Sequence, residues 1–189
     1  RLVPMNEFDR HFLTTISVMQ FEGPNTSSIS NLTNLQFLAL NNNQLTGSIP
    51  TQLGSLTSLQ SLILSSNKLT GDIPPDLGNL TNLLNLNLLG NQLTGSIPTS
   101  LESLTNLSHL DLSSNKLTGI IPSELGNLTS LTVLSLWGNQ LTGNIPANLG
   151  NLPNLQVLYL FGNQLTGSIP PELGNLTNLQ YLDLYNNKL

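Results

Sequence analysis

Leucine and isoleucine recur along this chain in the same pattern every 24 residues. Residues 83–106 read LLNLNLLGNQLTGSIPTSLESLTN, and residues 107–130 read LSHLDLSSNKLTGIIPSELGNLTS. A period of this length is typical of stacked units, each of which is too small to bury its own apolar face. The pattern therefore predicts a solenoid in which each repeat forms one turn.

The period divides the chain into three predicted regions. Residues 1–34 are expected to form an N-terminal cap with a degenerate first repeat, including a short helical turn from Glu7. Six complete 24-residue repeats follow over residues 35–178, and residues 179–189 begin a seventh. Solenoids need a terminal cap, but no following turn covers the apolar positions of this last repeat. We therefore expect that the chain is a fragment, or that a neighbouring subunit or a missing cap covers its C-terminal end.

Each repeat contains two extended segments and one helical turn. In LxxLxL the leucines are expected to point inward from a short strand that stacks in parallel on its neighbours. In LTGxIP the Leu and Ile point inward, and we expect Gly47 to allow a tight backbone approach. Pro50 can begin a 3-10 or helical turn, from which Leu53 and Leu56 close the core. Seven apolar side chains per repeat thus face one continuous core.

A repeated asparagine follows the first strand of each turn. An inward-facing Asn at a bend can satisfy backbone groups of its own turn and of the adjacent one. We therefore expect a structural asparagine ladder, whose removal destabilises the fold, whereas an outward residue such as Ser65 is expected to contribute almost nothing. The predicted ladder comprises Asn43, Asn67, Asn91, Asn115, Asn139, Asn163 and Asn187.

Composition excludes several classes of function. Only 8% of residues are charged, the net charge is −5, and the five basic residues are scattered, which argues against a nucleic-acid partner. No apolar run approaches the length of a membrane span. The chain has no cysteine, so disulfides and thiolate metal sites are excluded, and no cofactor is predicted.

The combined pattern, LxxLxLxxNxLTGxIP, resembles the plant-type leucine-rich repeat over residues 35–189. Similar repeats form receptor-like kinase ectodomains and polygalacturonase-inhibiting proteins. The resemblance implies an α/β solenoid, a right-handed superhelix with a concave parallel sheet, a second short sheet from the LTGxIP segments and short helical turns on the convex side. It also implies protein or peptide recognition, usually outside the cell or at its surface. Plant extracellular members usually carry paired cysteines in both caps, whereas this chain is also similar to cysteine-free arrays of algae, protists and bacteria.

Outward positions of the main strands should form columns across the concave face, about 4.8 Å apart. Of the nine aromatic residues, none lies between Phe37 and Trp137, and five fall in the outward columns of the last three strands. An exposed aromatic cluster is typical of an interface, although cross-strand packing or a missing cap is an alternative explanation. The predicted partner-binding residues are Val133, Trp137, Val157, Tyr159, Phe161, Tyr181 and Tyr185, with His109, Asp111 and Asp183 as a polar rim.

Catalysis and metal binding are considered for the same face. His109 and Asp111 lie near Ser113 and Ser135 in the predicted columns, which are residue types of a hydrolase triad. An open sheet, however, offers no obvious oxyanion hole and excludes little water. A metal at His109 and Asp111 would lack further ligands. We therefore expect no enzyme activity and no metal site.

Six Asn-x-Ser/Thr sequons are candidate N-glycosylation sites, although the repeat structure alone could select these residues. They are Asn25, Asn31, Asn79, Asn106, Asn127 and Asn175.

Two other functions stay open. Threonines of the LTG segments, from Thr46 to Thr166, predict a regular row that resembles the ice-binding face of some solenoid proteins. The chain could also be an architectural subunit of a larger assembly.

Overall fold

A computed structural model describes residues 26–189 of the chain. The predicted helical turn at Glu7, the sequon at Asn25 and most of the degenerate first repeat lie outside these residues. Within them, each turn consists of a short strand, a second extended segment and a 3-10 helix, as predicted.

The strands of the main sheet are β1 (Phe37–Ala39), β3 (Ser61–Ile63), β5 (Asn85–Asn87), β6 (His109–Asp111), β7 (Val133–Ser135), β8 (Val157–Tyr159) and β9 (Tyr181–Asp183). The second sheet contains β2 (Thr46–Ser48) and β4 (Lys68–Thr70). The 3-10 helices are η1 (Thr26–Asn31), η2 (Thr51–Ser55), η3 (Pro75–Asn79), η4 (Thr99–Ser103), η5 (Ser123–Asn127), η6 (Ala147–Asn151) and η7 (Pro171–Asn175).

The main sheet is parallel and has seven strands in chain order. Its register follows the repeat, because each residue pairs with the residue at the same position of the following repeat, as Leu38 does with Leu62 and His109 with Val133. This register confirms the predicted columns of the concave face, by which we mean the side of this sheet that faces away from the core.

The core lies between the main sheet and the 3-10 helices. In residues 59–82 all seven predicted apolar positions are at most 1% exposed, and the same pattern continues through residue 165. Each of the helices η2 to η7 begins after a proline with extended backbone. The leucine three residues after that proline donates its N–H to the proline's carbonyl, as Leu53 does to Pro50 at 3.1 Å. In the last turn Leu182 and Leu189 are 46% and 44% exposed, whereas their counterparts Leu158 and Leu165 are fully buried.

The second sheet is short, in agreement with the prediction. Among the described residues only β2 and β4 form a ladder, and single bridges join several of the later turns. Its register is shifted by two positions relative to the repeat, so that Thr46 pairs with Lys68 instead of Thr70, and Thr94 pairs with Asp72. The threonines of the LTG segments therefore lie opposite other residue types, and the regular pairing of threonine with threonine is not formed.

The repeated asparagines connect neighbouring turns. Asn115 accepts the N–H of Leu93 at 3.0 Å, and its Nδ2 donates to the carbonyls of Leu88 at 3.0 Å and Leu112 at 3.1 Å. The same three bonds recur at Asn67, Asn91, Asn139, Asn163 and Asn187. Asn43 donates to Leu40 and Asn41 of its own turn. Because Asn91, Asn115, Asn139 and Asn163 are buried, each amide satisfies backbone groups that water does not reach.

Glycine has two different roles in the repeat. Gly47 has φ +82° and its counterpart Gly71 has φ +72°, with the nearest atom to a Cβ added at Gly71 at an ordinary 3.4 Å. The positive φ favours glycine at this position. The tight approach at Gly47 itself stays a prediction, but in later turns a Cβ at Gly95 or Gly143 would overlap the side chain of Asp72 or Ile120. A second tight approach occurs in the 3-10 helices, where a Cβ at Gly126 would overlap the backbone of Asn148 in the next turn.

Ser65 differs from expectation, because it is only 9% exposed although it belongs to an outward column. It is therefore not a neutral reference position. Asn148 is a better one, since its side chain is exposed and forms no hydrogen bond with the described residues.

Replacing Asn115 with Ala should lower the free energy of unfolding by about 1–3 kcal/mol, because backbone groups of two turns lose their buried partner. Urea denaturation measures this change. The control, Asn148→Ala, should stay within about 0.5 kcal/mol of the parent. Equal stabilities of the two variants would show that the ladder does not hold the turns together.

Replacing Gly126 with Ala should lower the free energy of unfolding by about 1–3 kcal/mol, because the new methyl group overpacks against the next turn. Glu102 occupies the equivalent position in η4, and η4 and η5 pack less closely than the other pairs of neighbouring helices among η2 to η7. Gly174→Ala is the matched control, since no atom lies within 4 Å of the added Cβ. Thermal melts in which both variants lose the same stability would contradict this explanation.

Candidate functional site

Three aromatic rings form a continuous stack in the third outward column of the concave face. The ring centroids of Trp137 and Phe161 are 5.1 Å apart with an interplanar angle of 5°. Those of Phe161 and Tyr185 are 4.7 Å apart at 11°. These spacings match the distance between adjacent strands, so the sheet itself sets the stack. We call these three residues the aromatic stack.

The remaining apolar residues of the predicted site lie beside the stack. Tyr159 contacts Phe161 edge to face, with centroids 6.1 Å apart at 64°. Val133, Val157 and Tyr181 occupy the first column of the same three strands. Tyr181 and Tyr185 are 57% and 62% exposed, while the other apolar site residues are partly exposed. The structure therefore brings all seven predicted apolar residues together on one face.

Two residues of the predicted polar rim accept hydrogen bonds from the backbone. One carboxylate oxygen of Asp111 accepts the N–H of Ser113 at 3.0 Å, and Asp183 accepts the N–H of Tyr185 at 3.3 Å. Asn87 makes the same bond to Leu89 at 3.1 Å. These side chains close the bend after each strand and remain partly exposed beside the apolar cluster.

The residues of the conceivable triad are not arranged for catalysis. The hydroxyls of Ser113 and Ser135 bond to each other at 2.7 Å, and both serines are buried, with exposures of 0% and 4%. No hydrogen bond joins His109 to Asp111 or to either serine in this part of the chain. A nucleophile needs an adjacent base to be activated, and neither serine has one here.

Residues 26–189 contain neither a group of metal ligands nor a membrane-spanning helix. Among these residues, no three His, Cys, Asp or Glu side chains are grouped so that they could hold a metal ion. None of the helices there is long and apolar enough to span a membrane.

Sequence reasoning missed two properties of the concave face. The column pattern alone predicts exposed side chains at all outward positions, whereas Ser113 and Ser135 are buried. It also passed over Leu84, which is 44% exposed just before β5. The sequence does contain a signal for this exposed leucine, because the equivalent residues of the two preceding repeats, Gln36 and Gln60, are polar.

Comparisons with known proteins agree with this architecture. A family model described as a leucine-rich repeat region matches residues 11–140, and a model of two leucine-rich repeats matches residues 129–167 and 153–189. No protein of curated function gives a significant sequence match.

Several solved structures are similar to this chain. The ectodomain of the receptor kinase GASSHO1/SCHENGEN3 from Arabidopsis thaliana, in complex with CASPARIAN STRIP INTEGRITY FACTOR 2, is 52% identical with a TM-score of 0.84. The match covers 85% of this chain and 19% of that one. The ectodomain of the Arabidopsis receptor kinase HAESA, in complex with an IDA peptide hormone, is 42% identical with a TM-score of 0.81, covering 85% of this chain and 27% of that one. A plant ice-binding protein is 35% identical with a TM-score of 0.73, covering 79% of this chain and 56% of that one.

The chain thus spans about a fifth to a quarter of the receptor ectodomains that it matches. The family model covers more than half of the chain, and the observed strand, bend and 3-10 helix of each turn fit it. The chain therefore belongs to the leucine-rich repeat family, with repeats of the kind found in plant receptor ectodomains.

Proposed function

We propose that this chain is a non-catalytic recognition module that binds a protein or peptide segment through the C-terminal half of its concave face. The observation that carries the proposal is the aromatic stack with its flanking residues. Trp and Tyr are enriched among the residues that dominate binding energy at interfaces. The core of each repeat is already filled by Leu and Ile, so these aromatic side chains are not needed to complete it.

The geometry of the stack favours an extended ligand. The three rings are spaced by 5.1 and 4.7 Å along the solenoid, a length covered by about three residues of extended peptide at ~3.3 Å per residue. Stacking turns the rings toward each other, so their edges line the surface together with the valines of the first column. The hydroxyls of Tyr159, Tyr181 and Tyr185 add hydrogen-bonding groups for the ligand backbone. We infer an apolar segment of about three residues as the central ligand contact.

His109 and Asp111 of the polar rim extend the site toward the middle of the sheet, whereas Asp183 belongs to the last strand. His109 and Asp111 lie one strand before Val133, on β6, and Asp183 lies between the two tyrosines of the last turn. A ligand that continues along the sheet from the aromatic stack toward β6 would next meet His109 and Asp111. The predicted partner therefore has polar residues adjacent to its apolar segment.

The similar structures support both the partner and the place. GASSHO1/SCHENGEN3 is described as a plant membrane receptor kinase, and HAESA as bound to a peptide hormone. By analogy we propose that this chain works outside the cell or at the cell surface. A non-enzymatic role fits the concave face, where the two candidate serine hydroxyls bond to each other at 2.7 Å.

A test starts from a peptide library displayed on phage and selected against the immobilised chain. Replacing Trp137 and Phe161 together with Ala should weaken binding of the selected peptides at least tenfold, because each truncated hot spot costs roughly 2 kcal/mol or more. Trp137 is the only tryptophan in the chain, so its fluorescence in the parent protein should also change on binding. Binding constants from titration measure the effect.

The control variant is Phe37→Ala, which removes a 64% exposed aromatic residue from the N-terminal end of the same sheet. Its affinity for the selected peptides should equal that of the parent. The double variant should fold, because each ring pair contributes only about 0.5–1.5 kcal/mol beyond burial. Circular dichroism checks this. Selected peptides that bind the folded double variant within twofold of the parent would place the site elsewhere.

Ice binding is a second candidate, favoured by the similar plant ice-binding protein and by the exposed LTG threonines from Thr70 to Thr166. The arrangement of these threonines weighs against it. Across the turns their bridge partners are Asp72, Ile120 and Asn144, which differ in size and polarity. Thr94 also donates its hydroxyl to Asp72 at 3.0 Å. Identical groups therefore do not face each other across these turns, and other side chains interrupt the row of threonines.

We accordingly expect no thermal hysteresis from the purified chain. The measurement compares freezing and melting points in the presence of a seed crystal of ice. A clear hysteresis that disappears in Thr94→Tyr, with the fold intact, would instead establish ice binding on the second sheet.

A further inference from the structure

The candidate glycosylation sequons fall into two structural groups. Asn31, Asn79, Asn127 and Asn175 are equally spaced along the chain, and each is the last residue of a 3-10 helix on the convex side. They recur on every second turn. Asn106 occupies a different position, three residues after the end of η4.

Asn106 belongs to a second ladder of side chains on the convex side. Its Nδ2 donates to the carbonyl of Thr81 in the preceding turn at 2.9 Å. The equivalent residues make the same bond to the preceding turn, although none of them lies in a sequon: Asn82 to Thr57, Ser130 to Thr105, Asn154 to Thr129 and Asn178 to Pro153. The serine of this sequon, Ser108, is also used, because its hydroxyl donates to Leu84 at 2.9 Å. Structure alone thus explains the sequon at Asn106.

The helix-end asparagines have no comparable structural use. Asn79 and Asn175 are exposed, and their side chains form no hydrogen bond with the described residues. The fold does not require asparagine there, since Ser55 and Ser103 occupy the same position in two of the intervening turns, while the third has Asn151 outside any sequon. Asn127 donates to the carboxylate of Glu102 at 3.0 Å, a residue that replaces the glycine of the other complete turns, so this bond belongs to no ladder.

We propose that Asn79 and Asn175 are N-glycan acceptors, and that the convex side carries the glycans of this chain. This rests on the proposed location outside the cell. In the transfer, Nδ2 forms a bond to C1 of an oligosaccharide carried on a polyprenyl diphosphate. The bond from C1 to the diphosphate oxygen breaks, the polyprenyl diphosphate leaves, and the amide loses one proton. Both sites lie across the core from the aromatic stack, so the attached glycans leave the concave face open to a ligand.

The first arm of the test determines site occupancy. The chain is directed into the secretory pathway of plant cells behind a signal peptide, and glycopeptides are mapped by mass spectrometry. Asn79 and Asn175 should each carry a glycan, and Asn79→Ala and Asn175→Ala should each remove the mass of one glycan. Asn148→Ala, which alters an exposed asparagine outside any sequon, should leave the mass of the attached glycans unchanged. Unmodified Asn79 and Asn175 in the secreted chain would overturn the proposal.

The second arm separates an acceptor from a structural asparagine. In protein made in bacteria, which carries no such glycan, Asn79→Ala and Asn175→Ala should keep the melting temperature within about 2 °C. Asn106→Ala should lower it by about 2–4 °C, because an inter-turn bond is lost. An equal loss in all three variants would show that the helix-end asparagines are structural and would overturn the proposal.

Failure of this proposal is distinguishable from failure of the proposed recognition site. The double change of Trp137 and Phe161 to Ala should leave glycan occupancy unchanged, since it alters the opposite side of the molecule. Glycan-free Asn79→Ala and Asn175→Ala proteins should bind the selected peptides as the parent does. A loss of peptide binding in these two variants would contradict the separation of a glycan-bearing side from a ligand-binding side.

Discussion

The bond between an inward-facing asparagine amide and the backbone of the preceding turn is the interaction on which this structure depends. A solenoid turn must bend sharply after its strand, and the bend leaves backbone N–H and C=O groups pointing into the molecule. Leucine can fill that space but cannot satisfy those groups, and an unpaired buried backbone group is costly. Asn163, for example, accepts from Leu141 and donates to Leu136 and Leu160. Each turn is thereby connected to the turn before it by bonds that also shape its own bend.

This connection leaves the outward positions free to vary. The inward positions are almost uniformly Leu and Ile and are nearly all fully buried, so stability is distributed over similar turns as in other repeat proteins. A column on the concave face can therefore change from Ser113 to Trp137 without altering the register of the sheet. Parallel strands then place equivalent side chains about 4.8 Å apart, a distance at which aromatic rings stack. The recognition surface is thus a consequence of the scaffold's regularity together with local freedom of side-chain choice.

The convex side follows stricter rules where neighbouring helices touch. Gly54, Gly78, Gly126 and Gly150 lie against the backbone of the next turn, where a Cβ would collide. The outer row of Asn and Ser side chains bonds from turn to turn at the positions of Asn82 and Asn106. Between these two constrained rows, the helix-end residues Asn79 and Asn175 are exposed, and their side chains form no hydrogen bond with the described residues. The convex side therefore offers sites at which a large modification does not disturb packing.

The sequence by itself determined the stacking of turns, the inward and outward positions and the columns of the main sheet. It could do so because each turn contacts only its neighbours, so a one-dimensional period specifies the three-dimensional register. The seven apolar residues of the concave cluster were predictable for the same reason.

Tertiary structure decided what depends on the relative placement of adjacent turns. The LTG segments of successive turns are staggered by two positions in the second sheet. No period in the sequence encodes that stagger. Burial of Ser113 and the near-parallel rings of Trp137 and Phe161 depend on side-chain orientation on a shared surface. Likewise, the sequence places Asn79 and Asn106 at different positions of the repeat, but only the structure shows that the amide of Asn106 reaches the neighbouring backbone at Thr81.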